Sequence, residues 1–157
     1  MFDEITAQLA VFLGNPLYVA LFLGFLPISE VRGAAIYAFS VGQPWLIVPA
    51  AISNILAAPV ILAIWDLINI PWWGRLILGE KIERRMRQMG DKYEHYGVFG
   101  IALFVGIPLP VTGAYTGTLI ARLLGIKRRK ILLAVVLGVA ASSVVMYLLL
   151  SGLFGSF

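Results

Sequence analysis

Four apolar stretches run along the chain, and they are of two kinds. Trp45 to Trp65 and Ile131 to Leu150 are unbroken. Runs of about 20 residues, rising about 1.5 Å per residue, match a hydrocarbon core of about 30 Å, so each predicts a transmembrane helix. Leu17 to Gly42 and Val98 to Gly125 are interrupted near the middle, the first by Pro27 and the second by Pro108 and Pro110. Proline removes a backbone donor and strains the preceding turn. Lipid offers no replacement partner, so each broken stretch is either one kinked span or a re-entrant hairpin of two half-helices.

Two amphipathic segments accompany these. Phe2 to Gly14 has Asp3 and Glu4 in its first turn and Ile5, Leu9 and Phe12 on one face, which predicts a short interfacial helix. With acids where a signal peptide needs basic residues, no cleavable leader is expected. Arg75 to Tyr96 places Leu78, Ile82, Met86, Met89, Tyr93 and Tyr96 on one stripe, with charges opposite and Glu80–Arg84 and Glu83–Arg87 spaced to pair. An interfacial helix over about 75–96 follows. His95 near its end reads as an ordinary interfacial residue.

Composition turns these stretches into a membrane protein. Of 157 residues, 61% are hydrophobic and 13% charged, against about 45–50% and about 25% in soluble domains. Mean hydropathy is +0.94. There is no cysteine and one histidine, which excludes disulfides and thiolate chemistry and argues against a protein-held metal. The net charge of +4 fits cytoplasmic-side anchoring of a cell-membrane, multi-pass protein better than nucleic-acid binding. Charge placement also chooses between kinked spans and hairpins. Arg75, Lys81, Arg84, Arg85, Arg87 and Lys92 lie between the two unbroken spans, and Lys127, Arg128, Arg129 and Lys130 follow the second broken stretch. A re-entrant second stretch keeps both clusters on one side, the cytoplasmic one, as the positive-inside rule favours; four kinked spans remain the alternative.

The chain repeats itself. Val19-Ala-Leu-Phe-Leu-Gly-Phe25 matches Ile101-Ala-Leu-Phe-Val-Gly-Ile107 at an offset of 82, and an offset of 83 then pairs Pro27 with Pro110, Ser29 with Thr112, Gly42 with Gly125 and Ala57-Ala58 with Ala140-Ala141. The expected fold is an all-α membrane protein, one transmembrane domain over 1–157. Repeat 1 covers about 1–70 and repeat 2 about 97–157, each with an interfacial lead-in, a proline-broken re-entrant hairpin and one transmembrane helix. One crossing per repeat makes the second copy inverted, an arrangement that brings broken helices together near the midplane of transporters.

Candidate chemistry sits at the breaks. Ser29 and Thr112 precede helical stretches, where hydroxyls are expected to cap free N–H groups; the two helix starts would then favour an anion. Ala34, Ala38 and Gly42 share a register with Gly117, Ala121 and Gly125, and extending it backward sets Glu30 opposite Gly113. Small residues allow close helix packing, so Glu30 is expected to face inward. Glu30 and Arg32 are the only charges between Glu4 and Asp66, and an ionisable group inside a membrane is a functional candidate by default. They lie about 200° apart around a helix and so are not expected to pair with each other. Tyr37, Asn54, Tyr115, Thr116 and Thr118 are candidates for a polar path. Arg122, close to Lys127, is expected to snorkel to the interface, with a site role as the alternative. Asp66 reads as solvated. The four tryptophans fit interfacial belts.

Leu26-Pro-Ile-Ser-Glu-Val-Arg-Gly-Ala34 and Pro108-Leu-Pro-Val-Thr-Gly-Ala-Tyr-Thr-Gly117 together resemble the small multi-drug export protein family, a distant relative of the DedA membrane proteins. The resemblance covers most of the chain. It implies two facing re-entrant hairpins and movement of lipid-linked phosphates such as undecaprenyl phosphate, often coupled to an ion gradient. DedA proteins carry arginine beside the second proline motif, whereas this chain has none there, which leaves Arg32 to hold a phosphate. The expected function is translocation of a lipid or polyprenyl phosphate, with protons as a candidate coupling ion. Alternatives are proton-coupled export of cationic amphiphiles and a non-transporting scaffold. Expected partners are membrane lipids, a lipid-linked phosphate or amphiphilic small molecule, and protons, with a homo-oligomer left open. No cofactor, metal or enzymatic activity is expected, since the apolar stretches pair no nucleophile with a base.

Overall fold

A computed structural model describes residues 14–67, 96–108 and 112–154, together with Glu4, Ile5, Gln8 and Val11. Among them every regular element is helical. The helices are α1 (Pro16–Phe25), α2 (Glu30–Ser40), α3 (Ile47–Leu67, entered through a 3-10 turn at Pro44–Leu46), α4 (Tyr96–Gly106), α5 (Ala114–Leu123) and α6 (Arg128–Phe154). The segment predicted to be amphipathic at about 75–96 lies outside the described residues except for its last residue, and Pro110 lies outside them. Of the predicted lead-in helix, the four described residues are helical and exposed.

The elements fall where the hydrophobic pattern put them. α3 and α6 are long and apolar enough to cross a bilayer. Each broken stretch is a pair of helices of 10 or 11 residues, about 15 Å each, or half a hydrocarbon core. α1 starts where the Asn15 side chain accepts from the Leu17 N–H (2.9 Å), with Pro16 following.

Both second half-helices end in the same way. Gly42 (φ +67°) and Gly125 (φ +76°) adopt the left-handed conformation. Around them Gln43 N–H bonds Ala38 O (2.8 Å) and Gly42 N–H bonds Phe39 O (3.0 Å), while Ile126 N–H bonds Ala121 O (3.0 Å) and Gly125 N–H bonds Arg122 O (3.0 Å). This is a Schellman stop in each repeat. It corrects the expectation that Gly42 and Gly125 continue the packing stripe: Ala34, Ala38, Gly117 and Ala121 are buried, but the two glycines are exposed. A turn that needs positive φ accounts for them, and a helix interface does not.

α3 and α6 lie against each other at the centre. α1 packs on α3 and α4 on α6, while α2 and α5 each pack on both. The two long helices run antiparallel, because Arg128 at the start of α6 donates to the Leu62 carbonyl near the end of α3 (3.2 Å). At the opposite end, the Phe39 ring meets Tyr147 of α6, 5.8 Å between centroids. The start of α4 meets the turn after α5, since a Cβ on Gly97 would stand 3.0 Å from Ile126 Cδ1.

Small residues make this packing possible. A Cβ on Gly24 would run into the backbone of Ala50, and one on Gly138 would lie 2.8 Å from the Ala102 carbonyl oxygen. Ala34, Ala57, Ala58 and Ala121 are fully buried, whereas Val48, Ile52, Leu56, Phe99, Leu103 and Leu148 face outward. Alanines at the closest helix contacts, beside buried aliphatics such as Leu46 and Ile131, and large apolar side chains facing outward suit a lipid surround, where close helix contact holds helices together.

The junction of the hairpin tips as candidate functional site

A helix that stops leaves carbonyls at its end or N–H groups at its start without helical partners. Four such ends meet here: the ends of α1 and α4 and the starts of α2 and α5. The side chains that serve them come largely from the opposite hairpin.

Glu30, the first residue of α2, is 7% exposed. Its Oε1 accepts from the Tyr115 N–H in the first turn of α5 (3.4 Å), and the Ala114 N–H faces the same carboxylate. A carboxylate at a helix start is favoured by both the free N–H groups and the helix dipole. The position beside it is Gly113, whose extended backbone (φ −163°, ψ −172°) precedes α5. Its N–H donates to Thr116 Oγ1 (3.0 Å). Glu30 itself has φ +49°, the one non-glycine residue with positive φ among those described. That conformation costs a non-glycine residue of order 1 kcal/mol. It is held by the Glu30 N–H bond to the Leu26 carbonyl (2.9 Å) and by the carboxylate's contact with α5.

Arg32 crosses to the same hairpin. Its guanidinium donates to Thr112 Oγ1 (3.2 Å) and to the Ile107 carbonyl (3.3 Å), and the Thr112 hydroxyl donates to that carbonyl too (2.8 Å). Tyr115 returns the contact from α5: its hydroxyl donates to the Phe25 carbonyl at the end of α1. The Tyr115 ring also meets Phe25 edge-on, at 6.4 Å and 78°. The Ser29 hydroxyl, buried, donates to the Leu23 carbonyl.

These bonds correct one expectation. Ser29 and Thr112 do not cap the starts of α2 and α5; each turns back to a carbonyl of the preceding half-helix. A hydroxyl is a donor that stranded carbonyls need, while the N–H groups of α5 receive a carboxylate, the stronger acceptor. No side chain caps α2 at Ser29.

The remaining candidates divide. Glu30, Arg32, Ser29, Thr112, Gly113 and Tyr115 come together, with Pro108 next to Ile107 and Pro27 exposed in the first tip. Tyr37 and Asn54 are buried in the helix core, and neither the Tyr37 hydroxyl nor Asn54 Oδ1 has a hydrogen bond among the described residues. Thr118 bonds the Ala114 carbonyl within α5 (2.6 Å). Arg122 lies away from the junction. It pairs with Asp66 (3.3 Å), which also pairs with Arg128 (2.7 Å). Asp66 is therefore an ion-pair partner as well as the exposed carboxylate expected, because the end of α3 meets the end of α5 and the start of α6. Sequence reasoning missed the carbonyls of Phe25 and Ile107, although the proline breaks that strand them were visible.

The junction is close to electrically balanced. Two helix starts of about +0.5 and two helix ends of about −0.5 cancel, and Glu30 offsets Arg32.

Two long apolar helices, four half-length ones, and an acid and an arginine where the half-helices meet define a helical membrane protein with a polar site inside its apolar body. Residues 30–145 match the model of the family described as "Putative small multi-drug export protein". The chain belongs to that family, whose name points to membrane transport. No curated protein and no solved structure matches it.

Proposed function

We propose that the protein moves an amphiphile with an anionic headgroup, a lipid or polyprenyl phosphate, across the bilayer through the junction of the hairpin tips, together with a proton on Glu30. The observation that carries this reading is the meeting of Glu30 and Arg32 with the ends of both hairpins. In that balanced junction, a proton on Glu30 leaves one positive charge, and an anion restores neutrality. A charge left uncompensated in an apolar site is costly, so proton and anion favour each other. Protonation also takes the carboxylate's charge off the start of α5, whose N–H groups suit a phosphate oxygen, while Arg32 offers a planar fork.

The proposed topology is an inverted repeat with two re-entrant hairpins. The antiparallel α3 and α6, the meeting of the start of α4 with the turn after α5 and the tip-to-tip contact support it. With Asp66 paired to Arg128, the basic segments 75–92 and 127–130 would share one side of a cell membrane, the cytoplasmic one. No covalent step is part of the proposal, and no cofactor or metal enters it.

A second reading has its own support. Glu30 is the carboxylate at the junction, and an exporter of cationic amphiphiles would exchange a proton for its substrate there. Arg32 beside it opposes a cation.

The full chain in liposomes with a labelled polyprenyl phosphate on one leaflet tests the proposal. Glu30→Gln and Arg32→Ala are each expected to abolish movement of the probe while leaving insertion intact. Wild-type rates in both variants would rule out the site. A cationic dye in the same liposomes separates the two readings, and movement of neither probe would favour a scaffold.

A further inference from the structure

Positions 30 and 113 are equivalents in the two repeats, occupied by glutamate in one and glycine in the other. The fold makes them neighbours as well as equivalents. A Cβ built on Gly113 would fall within the Glu30 carboxylate, against Oε1, Oε2 and Cδ together. A side chain at 113 would therefore take the volume in which the Glu30 carboxylate sits, and the carboxylate would have to move.

The backbone argues for the opposite occupancy. Position 113 is extended (φ −163°), a conformation open to any residue, while position 30 is left-handed (φ +49°), where glycine is favoured. A junction built only for packing would carry glycine at 30 and a side chain at 113. The observed assignment runs against local preference, and such an outlier points to use of the carboxylate at that spot. Other buried glycines differ: Gly138 faces the Ala102 carbonyl and Gly117 faces the Val105 side chain, both contacts between apolar helices.

We propose that Gly113 is a positioning residue of the transport site, whose missing side chain forms the seat in which the Glu30 carboxylate reaches the start of α5. The inference rests on the transport reading for its activity readout, but the seat is also testable without transport. A methyl at 113 displaces the carboxylate from its N–H donors and leaves the rest of the fold intact.

The full chain is compared as wild type, Gly113→Ala, Glu30→Gly, Glu30→Gly/Gly113→Ala and Glu30→Asp/Gly113→Ala, by thermal unfolding in detergent and by the liposome assay. Gly113→Ala is expected to lower Tm by about 3 °C or more when Glu30 is present and to have little effect in the Glu30→Gly background, since the clash partner is gone. An equal drop in both backgrounds overturns the shared seat, whatever the protein transports. In liposomes, Gly113→Ala is expected to lose about tenfold or more of its transport rate. Glu30→Asp, shorter by one methylene, is expected to recover several-fold of that loss in the Gly113→Ala background, while Glu30→Gly recovers Tm without transport. A glycine needed only for packing would not distinguish aspartate from glycine at position 30. Wild-type transport by Gly113→Ala, or no gain from the aspartate, overturns the positioning role. If the wild type moves neither probe, the transport reading fails and the unfolding comparison alone judges the seat.

Discussion

Tyr115 joins the two hairpins through a single hydroxyl. The Phe25 carbonyl at the end of α1 has no further helical turn to donate to it, and the Tyr115 O–H fills that need from α5, while the ring covers Phe25. Tyr115→Phe keeps the ring contact and removes the donor. Losing one such hydrogen bond costs about 0.5–1.5 kcal/mol, so Tm in detergent is expected to fall by about 1–6 °C; an unchanged Tm would show that the two tips are not joined there. The same logic of donors and acceptors explains why Ser29 and Thr112 turn toward carbonyls. Spacing along the chain identified these hydroxyls as tip residues. It did not say which end of which helix each would serve, because a hydroxyl can donate or accept and its partner depends on the turn's path.

At the level of elements, the half-helices owe their length to proline breaks and glycine stops, and their seating to missing side chains. Gly24 brings α1 onto the backbone of Ala50, and the Ser53 hydroxyl bonds the Leu21 carbonyl (2.7 Å) across the same contact. Gly24→Ala must push α1 away from α3, and overpacking of this kind costs about 1–3 kcal/mol. Gly100, on α4, has open space where a Cβ would go. Gly100→Ala is expected to leave stability unchanged or raise it by up to about 1 kcal/mol through helix propensity. Thermal unfolding of the pair checks this, and similar effects at both sites would mean that Gly24 is not a contact point. The break positions were legible in the sequence as Pro27 and Pro108, and Gly42 and Gly125 were legible as equivalent positions of the two repeats. That the two glycines end helices instead of packing between them was not, since close packing and a left-handed turn both favour glycine.

Across the whole molecule, the end of α3, the end of α5 and the start of α6 converge on Asp66, Arg122 and Arg128. Phe39 and Tyr147 mark the opposite end. Single cysteines at Gly97, Leu67 and Lys127 are therefore expected to react with an impermeant thiol reagent from one side of the membrane, and one at Gly152 from the other. Labelling of Gly97→Cys and Lys127→Cys from opposite sides would rule out a re-entrant second hairpin, and opposite sides for Leu67→Cys and Lys127→Cys would rule out antiparallel long helices. The ion pairs at this end are half-exposed, and pairs of that kind contribute about 0–1 kcal/mol. They mark which helix ends meet and add little to what holds the helices together.

Hydrophobic run length and proline placement, read from the sequence by themselves, determined two long helices and two broken ones, because the period of burial and the loss of a backbone donor are local properties. Internal repetition marked Glu30 and Gly113 as the place where the halves differ. Only the tertiary structure decided that the Glu30 carboxylate sits where a side chain at 113 would stand, that Arg32 and Tyr115 reach across to the carbonyls of Ile107 and Phe25, and that Arg122 belongs to another cluster. Contacts between residues some 80 positions apart depend on how the helices are set against each other, and close packing of small residues fixes that arrangement.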